Sequence, residues 1–370
     1  MNFEFSEEQN LLREQAQGFL AAKCPLTAVR KILDGADRYD RALWKGIVEL
    51  GWPATTIPEQ YGGLGLGYLE LCVIAEELGR SLAPTPFSSS VYLATEALLM
   101  LGSEAQKQEY LPKLARGEIL GTFAIAEGAE ATSRDNLKTK AKKGKVRGTK
   151  VPVPDGDVAD FCIVLAREDK KHASLYVVDL NGKKVARETV PTLDPTRSHA
   201  SIEFSGASGE VLGEEGKGWN AVERLFDRAA VPFAFEQVGG AQAALEMAKS
   251  YALQRFAFGR PIASFQAIKH KLADMYIAAT LARSNCYYGA WALSTDASEL
   301  PVAAATARVS ATEAFHECSK ENIQTHGGMG FTWEFNCHLY YRRSKLLGVN
   351  LGSLPRWKDR LVTNLEESNR

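Results

Sequence analysis

Apolar and polar residues follow two different periods along this chain, and the period changes twice. From Met1 to about Arg116 the spacing is helical. Ser6-Glu7-Glu8-Gln9 reads as an N-cap and an acidic first turn ahead of a periodic apolar run. Leu69, Leu71, Cys72, Ile74, Ala75 and Leu78 mark a second helical stripe. Between the two lies Ile57-Pro58-Glu59-Gln60-Tyr61-Gly62-Gly63-Leu64-Gly65-Leu66-Gly67, where glycines after a proline dictate an irregular loop. From about Gly117 to Gly218 short β-rich runs replace the helices: Gly121 to Ala126, Phe161 to Ala166, Ser174 to Val178 and Ala200 to Phe204. Turns rich in Gly, Asp, Lys and Pro separate them, which predicts a compact antiparallel β domain. From about Trp219 the helical period returns, with strong segments over Ala241 to Leu253, Ile268 to Trp291 and Val302 to His326. Asp296 to Pro301 is the linker between two of them, and Pro301 suits a helix start. The expected architecture is α+β in three parts: a helical domain over 1–116, a β domain over 117–218 and a helical bundle over 219–370.

Composition narrows the partners. With 370 residues, 45% of them hydrophobic, the chain can bury a sizeable core. Its 44 basic and 45 acidic residues nearly cancel, which argues against nucleic acid as a main partner. The basic run Lys138 to Lys150 is a local exception and reads as a solvated hairpin. The six cysteines contain no C-x-x-C pair and several sit in apolar stretches, as expected of reduced, buried thiols. No metal-ligand spacing is present. Met1 to Gln9 lacks the basic start and apolar core of a signal peptide. No uncharged apolar run reaches the ~18 residues that span a membrane. These features place the chain in the cytoplasm.

Two clusters carry chemistry. In Gln254-Arg255-Phe256-Ala257-Phe258-Gly259-Arg260-Pro261-Ile262 and the following Gln266, a helix bearing Tyr251 and Arg255 is expected to end at Gly259, as a C-cap. Arg255 offers a planar fork of donors suited to a pyrophosphate, Phe258 a flat face for a ring, and Gln266 an amide. In Gln324-Thr325-His326-Gly327-Gly328-Met329-Gly330-Phe331-Thr332 the paired glycines let backbone approach a ligand closely. Singly, each feature has an ordinary structural reading; their combination and order do not.

Arg-x-x-Phe-Gly-x-Pro-Ile-x-x-x-Gln followed by Gln-x-x-Gly-Gly-x-Gly-Phe resembles the C-terminal domain of the acyl-CoA dehydrogenases. Ile57 to Gly65, Glu76-Glu77-Leu78-Gly79-Arg80 and Tyr110 to Gly117 are similar to that family's N-terminal segments, so the resemblance covers essentially the whole chain. It implies an N-terminal helical domain, a central β domain and a C-terminal four-helix bundle. It implies FAD, a tetramer built as a dimer of dimers, an acyl-CoA substrate and an electron-transferring flavoprotein as acceptor. It also implies that Arg255, Phe258, Gln266, Gln324, Gly327 and Gly328 bind the adenosine and pyrophosphate part of a neighbouring subunit's FAD.

The family reaction needs a carboxylate to take the α-proton of the thioester, while the flavin takes the β-hydrogen as hydride. The two positions from which the family supplies that Glu hold Leu351 and Ala229 here, and neither can accept a proton. Asp227 and Glu223 lie near but point elsewhere on a helix. The family's flavin-contacting Thr is replaced by Ala126, its Gly-Ser-Asp by Ser133-Arg134-Asp135, and its Trp-Ile-Thr by Pro152-Val153-Pro154. The chain thus resembles a subunit that completes a related subunit's FAD site within a hetero-tetramer, the arrangement some relatives use on bulky acyl chains such as sterol side chains. Two alternatives stay open: a homotetrameric flavoenzyme with a non-standard base or oxygen chemistry, and a non-catalytic protein that keeps the fold.

Overall fold

The structure, a computed structural model, describes residues 6–368. The first five residues of the acidic stretch Met1 to Gln9 therefore lie outside the described residues. The helices are α1 Glu7–Lys23, α2 Leu26–Asp34, α3 Arg41–Glu49, α4 Tyr68–Arg80, α5 Glu96–Leu101, α6 Glu104–Ala115, α7 Gly218–Gln254, α8 Gln266–Ser294, α9 Leu300–His326, α10 Cys337–Leu347 and α11 Leu354–Ser368. Between α6 and α7 run β1 Gly121–Ala124, β2 Lys140–Lys142, β3 Lys145–Pro154, β4 Phe161–Arg167, β5 Ala173–Asp179, β6 Val185–Thr189 and β7 His199–Leu212. Two further two-residue strands, β8 Phe256–Ala257 and β9 Arg260–Pro261, follow α7. The order is N-terminal helices, a central β domain and a C-terminal helical bundle. No described helix is long and apolar enough to cross a membrane.

The chain gathers into two compact units. One combines the segment up to Val29 with Tyr68–Ala83 and the segment from Ala230 on; the other combines Arg30–Gly67 with Pro84–Ala229. In the first unit α1 starts as expected: Ser6 Oγ accepts from Gln9 N–H at 3.2 Å and Gln9 Oε1 accepts from Ser6 N–H at 3.0 Å, a capping box. Two glycines let α4 and α7 touch backbone to backbone. A Cβ on Gly79 would lie 1.8 Å from the Glu236 carbonyl oxygen, and one on Gly239 would lie 1.8 Å from that of Glu76. Directly at this crossing the buried Glu76 accepts from Arg283 of α8 at 2.6 Å and from Arg13 of α1 at 3.2 Å. One turn on, Arg80 pairs with Glu246 of α7. The segment Glu76 to Arg80 is thus a structural clamp that fixes α1, α7 and α8 against α4.

In the second unit the strands run β1-β4-β2-β3-β7-β5, and β5 also pairs with β4. The ladder from β4 round to β5 therefore closes on itself, and β6 lies against β7. Most pairings are antiparallel; β1 and β2 join β4 in parallel. Val146, Val153, Val164, Val178, Ile202 and Phe204 fill the interior. The sequence pattern did not reveal β6, and of β2 and β3 it showed only the hairpin of the basic run. For β3 the reason is Lys150, an inward-facing position occupied by a charge. The basic run is a hairpin, with Lys138, Lys140, Lys142, Lys143, Lys145 and Arg147 exposed. Lys150, however, departs from the solvated reading and is fully buried, its Nζ donating to Glu127 Oε1 at 2.8 Å and to the Ile125 carbonyl at 3.1 Å. Burial lowers the Lys150 ammonium to about 8, and the Glu127 carboxylate opposes that fall. All six cysteines are free and buried.

The crossing and its charges give two expectations. Gly239→Ala forces a methyl into a carbonyl that cannot retreat, so chemical denaturation should show a loss of about 1–3 kcal/mol or more. Glu77, beside Glu76, is raised from 4.5 to about 7, chiefly by burial. A carboxyl raised on folding stabilises the protonated protein: its contribution is complete below pH 4.5 and is lost as pH rises through about 7. Glu77→Gln should remove a decline on the order of 3 kcal/mol across that window and leave the variant more stable than wild type above it. Parallel pH profiles for the two proteins would contradict this.

Candidate functional site

The chain leaves α7 through a tight hairpin, which alters the expected helix end. Helix α7 stops at Gln254, with Arg255 N–H donating to the Tyr251 carbonyl at 2.8 Å. Phe256 then pairs with Pro261 and Ala257 with Arg260. Gly259 takes φ +78, but as the second residue of a two-residue turn whose first is Phe258 at φ +53, not as a helix cap. Two consecutive positive φ values match the twist of a β-hairpin, and the helical ladder cannot continue through them. A left-handed phenylalanine costs about 1–2 kcal/mol. Phe258 is nevertheless 95% exposed, touching Phe265 only edge-on at 6.2 Å, while the Arg260 guanidinium lies 4.1 Å over the Phe265 ring.

At the far end of α9 the chain turns at Gly327, φ +59, into a short 3₁₀ segment, Gly327–Phe331. A Cβ added at Gly327 or Gly328 would meet no atom within 4 Å. Neighbouring chain therefore does not explain the glycine at 328. The two chain ends meet across an open cavity of about 380 Å³, with Tyr251, Arg255 and Ile262 on one side and residues 325–329 on the other. The Tyr251 ring stacks on His326 at 4.1 Å, and Phe335 closes edge-on against His326 at 5.8 Å.

Of the sequence-derived site residues, Arg255, Gly327 and Gly328 come together in this cavity. Phe258, Gln266 at the start of α8 and Gln324 on α9 are exposed and do not line it. Ile262, Thr325, His326 and Met329 complete the lining, together with Tyr251, which the sequence set on the helix of Arg255 without giving it a role. The signal for Tyr251 was its place four residues before Arg255, one turn back on the same helix face.

The two positions from which the family supplies its base are buried hydrocarbon here. Ala229 is fully buried, Leu351 is 2% exposed, and the Leu351 carbonyl accepts from Trp357 Nε1 at 3.2 Å. The loop before Leu351 is held from inside the bundle. Arg308, itself buried, donates to Asn350 Oδ1 at 2.7 Å and to Gln237 Oε1 at 2.8 Å. Burial lowers Arg308 to about 9, with Glu236 opposing. Asp227 is buried and Glu223 exposed.

In the β domain Glu127, next to Ala126, is used internally: it binds Lys150 and accepts from the backbone N–H of Lys138 at 2.6 Å and of Thr139 at 2.9 Å. Pro152 follows a cis peptide bond, and the Pro154 carbonyl accepts from Thr122 Oγ1. Arg134 lies 5.8 Å over the Trp219 ring.

Two family models match the chain: acyl-CoA dehydrogenase, N-terminal domain, over residues 6–118, and acyl-CoA dehydrogenase, C-terminal domain, over residues 216–354. Acyl-CoA dehydrogenase IpdE2 of Mycolicibacterium smegmatis is 33% identical over 340 residues, covering 92% of this chain and 93% of that protein. The structure of butyryl-CoA dehydrogenase from Megasphaera elsdenii is similar with a TM-score of 0.91 at 25% identity, covering 99% of this chain and 100% of that one. A chain of the ChsE4-ChsE5 complex from Mycobacterium tuberculosis is similar with a TM-score of 0.89 at 28% identity, covering 99% of each. A likeness that runs through helices, β domain and bundle alike has one meaning: this chain belongs to the acyl-CoA dehydrogenase family, whose members are FAD-binding oxidoreductases.

Proposed function

We propose that this chain is the FAD-site-completing subunit of a hetero-oligomeric, cytoplasmic acyl-CoA dehydrogenase. It works beside a related subunit that carries the catalytic carboxylate. The observation that carries this reading is a contrast within one chain. The cavity at Arg255, Gly327 and Gly328 is open and polar on one wall, while both positions for a base hold buried hydrocarbon.

The fit to FAD divides the same way. Arg255 would hold the pyrophosphate through its guanidinium fork, the open faces of Gly327 and Gly328 would admit the dinucleotide backbone, and Phe258 would meet it from the hairpin tip. Gln266 and Gln324, exposed beside these groups in sequence, would add amide contacts. The flavin ring fits less well in this chain's own β domain. Ala126 has no hydroxyl, Pro152 and Pro154 have no N–H, and the Glu127 carboxylate is already bound to Lys150. FAD, when bound, supplies the hydride acceptor; this chain's residues hold the adenosine half and exclude water from it. An electron-transferring flavoprotein then takes the electrons.

A partner surface accompanies the site. Tyr276, Ile277 and Leu281 form an exposed apolar stripe at helical spacing on α8, and Phe256 and Phe331 are exposed near the cavity ends of α7 and α9. Such a face suits a tetramer with a related subunit. That ChsE4-ChsE5, a relative of nearly equal length, is a complex of two chains supports the mixed form. The substrate class that goes with this reading is an acyl-CoA with a bulky acyl chain, such as a sterol side chain.

Two outcomes test it. Arg255→Ala removes a charge-assisted contact worth about 1.5–3 kcal/mol, so the assembled complex should release FAD about 10- to 100-fold more readily in equilibrium dialysis. Unchanged retention would remove Arg255 from the site. Leu351→Glu in the lone chain should yield no bleaching of flavin absorbance with acyl-CoA, because the ring contacts are missing as well as the base. Bleaching by that variant would mean the chain holds a competent flavin site of its own.

A further inference from the structure

His326 lines the cavity with an imidazole that is only 6% exposed. Its Nδ1 lies 2.8 Å from the Asn322 carbonyl oxygen. A carbonyl only accepts, so Nδ1 carries the proton and the neutral ring presents Nε2 as a lone-pair acceptor. Among the described residues Nε2 has no hydrogen-bond partner. The ring is not free to turn, being stacked on Tyr251 at 4.1 Å and braced by Phe335. Burial lowers its basicity from the usual histidine value, and the bond to Asn322 opposes that fall.

The other lining groups make this acceptor distinctive. Arg255 carries donors alone. Thr325 donates its hydroxyl to the Glu321 carbonyl at 2.7 Å and so brings the cavity no further donor, while its oxygen keeps acceptor lone pairs. Ile262 and Met329 are apolar, and the glycines bring no side chain. Beside the hydroxyl oxygens of Tyr251 and Thr325, Nε2 of His326 is the nitrogen acceptor among the lining side chains. A ligand that seats an anion on Arg255 and leaves this nitrogen unpaired would bury it at a cost.

We propose that His326 is a specificity-determining residue of this cavity: its Nε2 accepts a hydrogen bond from an N–H or O–H donor on the adenosine part of a dinucleotide whose pyrophosphate meets Arg255. The assignment rests on the reading of the cavity as an FAD half-site. The donor is either the exocyclic amine of adenine or a ribose hydroxyl, and nucleotide analogues separate the two.

The test uses the full-length protein, freed of flavin, titrated with ADP, IDP and 2′-deoxy-ADP by calorimetry. Wild type should bind ADP about tenfold tighter than one of the two analogues. Discrimination against IDP assigns the amine, and discrimination against 2′-deoxy-ADP assigns the hydroxyl. His326→Phe keeps a ring on Tyr251 but removes the acceptor. It should weaken ADP about tenfold and abolish the discrimination, while His326→Gln, whose amide oxygen can accept, should retain part of it. Discrimination that survives in His326→Phe, or that is absent from wild type, overturns the proposal. If ADP fails to bind wild type, or binds Arg255→Ala equally well, the half-site reading falls and the proposal with it. If Arg255→Ala weakens ADP and His326→Phe does not, only the His326 assignment fails. Circular dichroism of both His326 variants separates a lost contact from a lost fold.

Discussion

The crossing of α4 and α7 is the constraint from which the candidate site follows. Gly79 and Gly239 bring two helix backbones so close that a single methyl on either would overlap a carbonyl oxygen. Helices that approach this closely have little freedom to slide or rotate. Glu76 then ties the crossing to α1 and α8 through Arg13 and Arg283, and Arg80 reaches along α7 to Glu246. The cavity lies further along the same helix, where α7 gives way to the Phe258 hairpin and faces the turn that ends α9. Helix α9 packs on α8, so the clamp at Glu76 also fixes the wall that carries Gly327 and Gly328. A backbone crossing thus helps set the distance across the cavity.

On the proposed reading the chain separates two tasks that a self-sufficient enzyme combines. Holding a dinucleotide needs a cation with directional donors, open backbone and a shaped gap, which on the proposed reading Arg255, Gly327 and Gly328 would provide. Moving a proton needs a carboxylate in reach of the carbon acid. At Leu351 and Ala229 the chain instead packs hydrocarbon, and Arg308 secures the neighbouring loop to the bundle interior through Asn350. The buried cation there serves to hold the loop, with its donors directed to Asn350, Gln237 and the Leu347 carbonyl. Such an arrangement holds the loop to the bundle and puts no proton acceptor at either position.

Much of the fold was legible because long amphipathic segments declare their period. The capping box at Ser6, the Pro301 start of α9 and the core strands β4 and β5 all fall where the pattern put them. What escaped the pattern did so for physical reasons. Strand β3 carries Lys150 at an inward position, and no periodicity reading expects a lysine to be buried against Glu127. The end of α7 was misplaced because Gly259 suits a helix cap and a hairpin turn equally well; the left-handed Phe258 before it decides for the turn. At the site, residue types pointed to Arg255 and the glycine pair. The Tyr251–His326 stack depends on two chain segments meeting in space, which local sequence does not encode.

Flavin stoichiometry tests the central claim most directly. The chain would be purified alone and again after co-expression with the most closely related dehydrogenase subunit of its source, and bound FAD measured by absorbance against protein. A supporting subunit retains little FAD alone and about one FAD per pair of chains with its partner. One FAD per chain in the protein purified alone would contradict the account and make the chain a self-sufficient flavoenzyme with a base yet to be located.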